Sequence, residues 1–509
     1  MSQTTLEYDD ALELASTASV LTEAWGERWQ TAEFRGLIAL EDTHSQITYE
    51  QLYTEVSTLA GELRAAGIQP RQLVAIAMER SIENAIAILA TMAAGACPCP
   101  LEPRLTPQEI TDRLIAVGID CILADTVNAE GFDAAPQALT IPLINIDILP
   151  EAQSYWCEDI QAQDPGLLLF TSGSTGRPKG VLISHAGLLN NAIDVVPVTG
   201  LTDTDKLLHV MPLYHTNGLN NQLFSPLLVG ATVVVAGRFR AEEMPALMER
   251  HQPTIITGVP TMYSRMLNQE FSEKSLAKLR FARCGSAPIT NELHEKIEAF
   301  LNVPLVTSYG LSEATCTSTM NPPDKRKIGS IGRALPHQRV FLRTHSGEDI
   351  TQAGHDGEIC IEGASLMLGY VGVSEDGVLE PSEKTLHTGD LGRFDEEGYF
   401  YITGRLKDVI IRGGENLSPT LIEQAISKHP DVASCCVIGK PDADLGEVPV
   451  AFVVARAGAT IDEASVHQLV SDQLARVYKL AEVYLVSSLP ENSIGKIDKK
   501  ALKARLASA

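Results

Sequence analysis

The stretch Leu167–Ser184, LLLFTSGSTGRPKGVLIS, runs an apolar segment directly into Thr171–Gly180, TSGSTGRPKG, and leaves through a second apolar segment. Those ten residues hold four hydroxyls, three glycines and two cations. Backbone N–H groups, side-chain donors and positive charge in one place are what a bound phosphate requires. The spacing Gly173, Gly176, Lys179, with Gly180 next, does not satisfy G-x-x-x-x-G-K-[ST], so the segment is not a Walker loop. Composition alone also accommodates a Gly/Ser surface turn that carries Lys and Arg. The apolar run entering the glycines as a strand shifts the reading toward phosphate.

On the N-terminal side of this segment, Thr48 to Leu63 has the period of an amphipathic helix opened by a threonine, Leu73 to Ala77 reads as a short buried strand, and Ser81 to Ala93 as a second helix. Similar short apolar runs recur at Cys121 to Ala124, Leu167 to Phe170, Lys206 to Met211, Ala231 to Val235 and Thr254 to Ile256. Helices alternating with runs buried on both faces indicate an α/β fold with largely parallel sheets. Past Gly357 the texture changes to Gly-punctuated strands such as Glu358 to Glu362 and Tyr399 to Ile402, predicting a β-rich subdomain. A further break near Gly404 precedes a second alternation: Thr420 to Ser427, Ala433 to Ile438, Val448 to Val454, Ser465 to Arg476 and Glu482 to Val486. The sequence therefore predicts a large N-terminal domain over residues 1–403, with mixed and parallel sheets and a β-rich subdomain, followed by a small mobile α/β domain over 404–509.

The 509 residues carry 40 Lys plus Arg and 65 Asp plus Glu, a formal charge of −25. Residues 404–509 hold 13 of each sign, so the whole excess lies in 1–403. Such a chain repels phosphate backbones and anionic lipid, which argues against nucleic-acid and membrane-surface partners. Nine scattered cysteines show neither paired C-x-x-C motifs nor a secreted disulfide framework. The start, MSQTTLEYDD, is acidic where a signal peptide is basic, and the apolar stretch around Ala85 to Cys97 falls short of the roughly 20 residues that span a bilayer. A cytoplasmic protein without stable membrane insertion is expected; nothing in the sequence specifies an oligomeric state.

Six segments in order resemble the adenylate-forming superfamily, which includes acyl-CoA synthetases, peptide adenylation domains and luciferases: TSGSTGRPKG, MPLYHTNG (Met211–Gly218), SYGLSE (Ser308–Glu313), HTGD (His387–Asp390), GRLKDVIIRGGENLSP (Gly404–Pro419) and PENSIGKIDKKAL (Pro490–Leu502). The resemblance implies ATP, Mg²⁺ and coenzyme A, or the phosphopantetheine of a carrier protein. It also implies two half-reactions: a carboxylate attacks the α-phosphate to give an acyl-adenylate and pyrophosphate, and a thiol then takes the acyl group.

By the same resemblance, Thr171, Ser172, Gly173, Ser174, Thr175, Gly176 and Lys179 match the loop on the β and γ phosphates. Glu313 matches the Mg²⁺ ligand, with the Thr171 hydroxyl in the metal or phosphate shell; a hard oxygen ligand suits that ion. Tyr309 matches the aromatic beside adenine, Gly285, Ser286 and Ala287 the opposite wall, Asp390 the acceptor of both ribose hydroxyls, and Arg405 a ribose or phosphate contact. Lys496 matches the lysine between the carboxylate and the α-phosphate, where it meets charge that grows in the transition state. Lys407 falls at the hinge, and Gly413 and Gly414 at the thiol tunnel. His215 falls at the position that gates acid entry, while a packed core histidine is the alternative reading. It need not act as a base, because a carboxylate with a reference pKa of about 4 is already ionised near neutrality.

The acid pocket implied by the resemblance draws on Asn217, Asn220, Asn221, Gln222, Arg283, Ser308, Thr315 and Cys316. So polar a set suits a short, aromatic or polar-substituted acid better than a long acyl chain, which needs an apolar tunnel. Arg283 has two readings: a fork for the second carboxylate of a dicarboxylic acid, or a structural ion pair beside the adenine pocket. The chain ends nine residues after Lys500 with no carrier domain, which favours a freestanding ligase using CoA. A freestanding enzyme that loads a separate carrier protein is the alternative. A nucleotide-binding regulatory protein and a kinase or ATPase releasing ADP are the readings from other classes.

Overall fold

Thr48 opens the first long helix, Tyr49–Ala65, with a reciprocal cap: its Oγ1 accepts from the Gln51 amide and Gln51 Oε1 accepts from the Thr48 amide. Ser81 caps Ile82–Ala93 in the same local way. The structure is a computed structural model describing residues 18–133, 141–172, 178–372, 380–381, 383–413, 415–491 and 497–507.

Two sheets carry the α/β character. Four parallel strands, Cys97–Pro100, Leu73–Ala77, Cys121–Ala124 and Leu143–Asn145, form one. The other has nine strands, whose parallel centre runs Leu305–Tyr309, Phe281–Cys284, Ile255–Gly258, Lys206–His209, Thr232–Val235 and Ile38–Glu41, with short antiparallel edges. The buried aromatics Trp25, Trp29 and Tyr49 lock the helical region before Leu228 onto this body. Trp25 meets Phe224 edge-on at 5.1 Å, Trp29 Nε1 donates to the Leu227 carbonyl at 2.9 Å, and the Tyr49 hydroxyl donates to the Ala231 carbonyl at 2.7 Å.

The expectation that Leu167 to Phe170 lies in a parallel sheet is corrected. Pro165–Ser172 pairs antiparallel with Pro178–Ser184, and Gly369–Val371 and Glu380–Pro381 extend the sheet. The segment 173–177 between the two long strands is far shorter than the dozen or so residues a parallel crossover needs, so the two apolar runs can only pair as a hairpin.

The β-rich subdomain is a five-stranded antiparallel sheet of Asp349–Ile350, Gln338–Arg343, Gly357–Gly363, Leu386–Phe394 and Phe400–Arg405. It begins before Gly357, because Gln338–Arg343 supplies its second strand. Its last strand places Gly404 opposite Leu391 and Arg405 opposite Asp390, and the chain leaves the sheet through the single turn Leu406–Asp408. Beyond that turn stands a smaller α/β unit. Its antiparallel strands Glu415–Leu417, Ile410–Arg412, Gly446–Ala455 and Val432–Asp442 are joined by Glu482–Leu485, parallel to Gly446–Ala455. Helices Pro419–Ile426 and Glu463–Gln473 close a core of its own around Ile410, Ile422, Val437, Val453, Val470 and Val483. No helix among the described residues is long and apolar enough to cross a membrane.

Candidate active site

The parallel strands Ile255–Gly258, Phe281–Cys284 and Leu305–Tyr309 end together, and the crevice outside the carboxyl ends of such strands is where α/β sheets bind ligands. Tyr309 closes the third strand and reaches into the β-rich sheet, where its hydroxyl donates to Asp390 Oδ2 at 2.7 Å. The cross-strand neighbour Arg405 reaches Asp390 Oδ1 with Nε at 2.6 Å, and the Asp390 amide donates to Thr388 Oγ1 at 3.1 Å. Asp390 is only 2% exposed. Two donors offset the desolvation of its carboxylate, and the remaining lone pairs leave it able to accept a diol. Burial, reinforced by the Asp390 charge, pushes the Tyr309 phenol well above its ordinary range, so it stays a donor. Gly285 follows the neighbouring strand so closely that a Cβ there would lie 3.2 Å from Ser308 Oγ, and Ser286 takes a left-handed φ of 65°. Ala287 continues this half-exposed turn.

The hairpin places Thr171 opposite Lys179. Lys179 Nζ lies 5.2 Å from the centre of the Tyr370 ring, and the Tyr370 hydroxyl donates to Glu313 Oε1 at 2.9 Å. Lys179 and Glu313, the expected phosphate-loop cation and metal ligand, thus converge on one tyrosine. Burial first, and the Glu313 charge second, raise the Tyr370 phenol, which keeps its proton on this bond. The sequence reading missed Tyr370. It sits 57 residues beyond Glu313 in the chain, on the strand that pairs with Pro178–Ser184, and no local pattern announces that contact. The carboxylate and hydroxyl oxygens of Glu313 and Thr171 form a donor set that fits Mg²⁺. Gly173, Ser174, Thr175 and Gly176 lie outside the described residues, as does the Ser172 side chain.

At the other end of the crevice, His215 precedes the helical turn Thr216–Leu219, with its ring 4.7 Å from that of Tyr214. The chain then widens into the π-helical turn Asn220–Phe224, where the Ser225 amide bonds back to the Asn220 carbonyl. This turn sends neighbouring amides in different directions. Asn220 donates to Asn191 Oδ1 at 2.8 Å, whereas Asn221 Nδ2 reaches Asn217 Oδ1 at 3.1 Å, Thr317 Oγ1 at 2.9 Å and Cys316 Sγ at 3.1 Å. Asn217 Nδ2 lies 3.5 Å from Ser286 Oγ, linking this end to the wall at Gly285. Thr315, at a φ of 66° that is unusual for a β-branched residue, donates its hydroxyl to the Ser365 carbonyl at 2.6 Å. Arg283, on strand Phe281–Cys284, is 3% exposed. Burial brings its pKa down to about 10, which leaves it a cation near neutrality.

Lys407 is exposed on the turn that joins the two units, and the neighbouring Asp408 Oδ2 holds Lys499 Nζ at 2.9 Å. Gly413 has a φ of 57°, and its amide donates to the Leu445 carbonyl at 2.7 Å. Gly414 and Lys496 lie outside the described residues. Contacts between the smaller unit and the body include the Arg456–Glu292 ion pair at 2.8 Å and Arg265–Glu491 at 3.7 Å, both at the surface. Such pairs contribute little stability and are compatible with movement.

Comparison with known proteins agrees with this geometry. Residues 27–371 match the model of the AMP-binding enzyme family, and 421–496 that of the AMP-binding enzyme C-terminal domain. The chain is similar to an indoleacetate–CoA ligase of Aromatoleum aromaticum, 33% identical over 91% of this chain and 94% of that protein. A sulfoacetate–CoA ligase of Cupriavidus necator is 32% identical over 96% of this chain and 97% of its own. Among solved structures, ATP-bound MatB from Rhodopseudomonas palustris superposes with a TM-score of 0.88 at 30% identity, covering 96% of this chain and 98% of that one.

Proposed function

The chain belongs to the AMP-binding enzyme family of adenylate-forming acid–thiol ligases, and from that membership we propose how its residues divide the work. The enzyme uses ATP to convert a carboxylic acid into an acyl-adenylate, releases pyrophosphate, and transfers the acyl group to coenzyme A. The observation that carries the division of labour is the convergence of Lys179 and Glu313 on Tyr370. It brings the hairpin assigned to phosphate and the carboxylate assigned to the metal onto one side chain.

In the first step one oxygen of the ionised acid attacks the α-phosphorus, and the bond from that phosphorus to pyrophosphate breaks. Asp390 holds the ribose through its spare lone pairs, while Tyr309 and Arg405 fix the carboxylate that does so. Lys179 faces the leaving phosphates. Glu313 and the Thr171 hydroxyl would hold Mg²⁺, which would neutralise charge on the triphosphate. Lys496 approaches the attacking carboxylate and α-phosphate and stabilises the charge that builds there. No residue need remove a proton from the acid, so His215 has a gating role at the acid entrance.

The second step uses a different arrangement of the smaller unit. We assign residues 1–403 to the substrate-binding body, residues 404–509 to the moving domain and Lys407 to the hinge, with Gly413 and Gly414 lining the thiol path. The single connecting turn and the surface ion pairs support that motion. In Lys407→Pro, single-turnover pyrophosphate release should survive while thioester formation falls roughly tenfold or more; equal rates for both steps in variant and parent would remove the hinge assignment. The acid itself is short, aromatic or polar-substituted, in keeping with Asn217, Asn221 and Cys316 around its end of the crevice. A cytoplasmic setting fits the nine unpaired cysteine thiols.

The test is acid-dependent pyrophosphate release from ATP over short, branched, aromatic, hydroxy, amino and dicarboxylic acids, each with and without CoA. Release sustained by CoA supports the assignment. A burst that CoA cannot prolong points to a pantetheinylated carrier protein as acceptor, and ADP as product contradicts adenylate formation.

A further inference from the structure

Arg283 is one of the most deeply buried arginines of the described residues, and its bonding differs from that of its neighbours. Arg280, on the approach to the same strand, holds Asp205 with Nε at 2.8 Å and Nη2 at 2.7 Å. Arg326 holds Glu298 through the same two atoms, while Arg80, whose Nε is also buried without a partner among the described residues, reaches His209 through Nη2. Arg283 Nε and Nη2 are both buried, and no described residue accepts from either. These two donors form one edge of the guanidinium, the edge that receives both oxygens of a carboxylate side-on.

No carboxylate among the described residues pairs with Arg283. The groups that act on the Arg283 charge are the Cys316 thiol and the Tyr263 phenol. Burial raises both, so both are neutral near pH 7, and the phenol is already fixed by donating to the Arg283 carbonyl at 2.6 Å. Asn221 presents its Nδ2 donor to Cys316 Sγ. Thr257 is the register partner of Arg283 on the adjacent parallel strand, so its side chain stands on the same face of the sheet; its Oγ1 is also buried without a partner. A buried cation and the neighbouring Thr257 hydroxyl therefore lack partners among the described residues. A structural ion pair, the other reading of this residue, is not formed among the described residues.

We propose that Arg283 receives a second anionic group, a carboxylate or a sulfonate, on a short acid whose first carboxylate is adenylated. This rests on the ligase function and narrows its substrate class. The anion supplies two oxygens to Nε and Nη2 and restores the pairing that a buried charge requires. An acid of the same shape without that charge enters the site but leaves the guanidinium unpaired. Sites built this way discriminate strongly against the analogue that lacks the partner group.

The experiment compares kcat/KM for pyrophosphate release within isosteric pairs: malonate against malonamate, succinate against succinamate, and sulfoacetate against methylsulfonylacetate. In the parent enzyme the charged member of at least one pair should exceed its neutral partner by roughly 100-fold or more. The pair that shows the effect distinguishes a carboxylate from a sulfonate. In Arg283→Met that ratio should collapse toward one, and Arg283→Lys, which keeps the charge without the fork, should retain only part of it. Neutral acids turned over as well as charged ones would overturn the inference and leave the ligase reading standing. A high ratio unchanged in Arg283→Lys and Arg283→Met would overturn the role of Arg283, as would an equal loss for both members of a pair, which would place the reacting carboxylate on this residue. Pyrophosphate release with no acid of this or the broader panel would overturn the ligase reading and the inference together. The parent ratios need no variant, so a folding defect in Arg283→Met does not remove the test.

Discussion

At the end of the crevice assigned to the nucleotide, Asp390 is 2% exposed and accepts from Tyr309 while pairing with Arg405; at the end assigned to the acid, Arg283 is 3% exposed and keeps two buried donors without acceptors among the described residues. Both are charges removed from water, yet only one is completed by the protein. The nucleotide is the same in every turnover, so its pocket can hold its own carboxylate in place and leave spare lone pairs for the ligand. On the proposed assignment, the acid end leaves a charge for the substrate to complete, which converts the cost of a buried cation into discrimination between acids.

The largest expected effect comes from the residue proposed to work between these ends. Lys496→Ala should slow adenylate formation by about 100- to 1,000-fold, the range for removing one group that meets transition-state charge. Thiol transfer from a supplied acyl-adenylate should persist in that variant, and equal loss in both half-reactions would contradict the division of labour. Next, Asp390→Ala should raise KM for ATP by about 10- to 100-fold, as expected for losing charge-assisted hydrogen bonds worth about 1.5–3 kcal/mol. Initial-rate measurements should show the order of preference among acids unchanged; a reordering would mean that the two ends are not separable. Asn221→Ala should do the converse, altering KM for the acid by roughly fivefold while KM for ATP stays near the parent value, since one neutral hydrogen bond is worth about 1 kcal/mol. The smallest effect is expected of Tyr370→Phe. Losing its bond to Glu313 should raise the Mg²⁺ concentration for half-maximal activity by about threefold to fivefold, measured by titration at fixed ATP; an unchanged requirement would detach Tyr370 from the metal site.

Local signals in the sequence suffice where the cause is local. Thr48 and Ser81 cap the helices they were expected to open, because a side-chain oxygen and an amide three residues on are all that an N-cap needs. The strands and helices of the smaller unit also fall within a few residues of their expected positions. Direction of pairing was not legible: Leu167 to Phe170 looks the same buried in a parallel or an antiparallel sheet, and only the shortness of the connection to Pro178 decides it. Tyr309, Asp390 and Arg405 come from three separate segments, and their resemblance to family motifs named them before any geometry did. Tyr370 carried no such mark in the reading, since its contacts with Lys179 and Glu313 are made only by the folded sheet. For Arg283 the sequence left an ion pair and a second carboxylate side by side. Its burial, with Nε and Nη2 unpartnered among the described residues, favours the second.

The most direct test of the account follows the oxygen. With an accepted acid labelled by ¹⁸O in its carboxylate, ATP and CoA, mass spectrometry of the nucleotide product should find AMP carrying one labelled oxygen, because the carboxylate oxygen that attacks the α-phosphorus stays on it when the thiol takes the acyl group. Unlabelled AMP, or ADP as the nucleotide product, would contradict an acyl-adenylate on the path to the thioester.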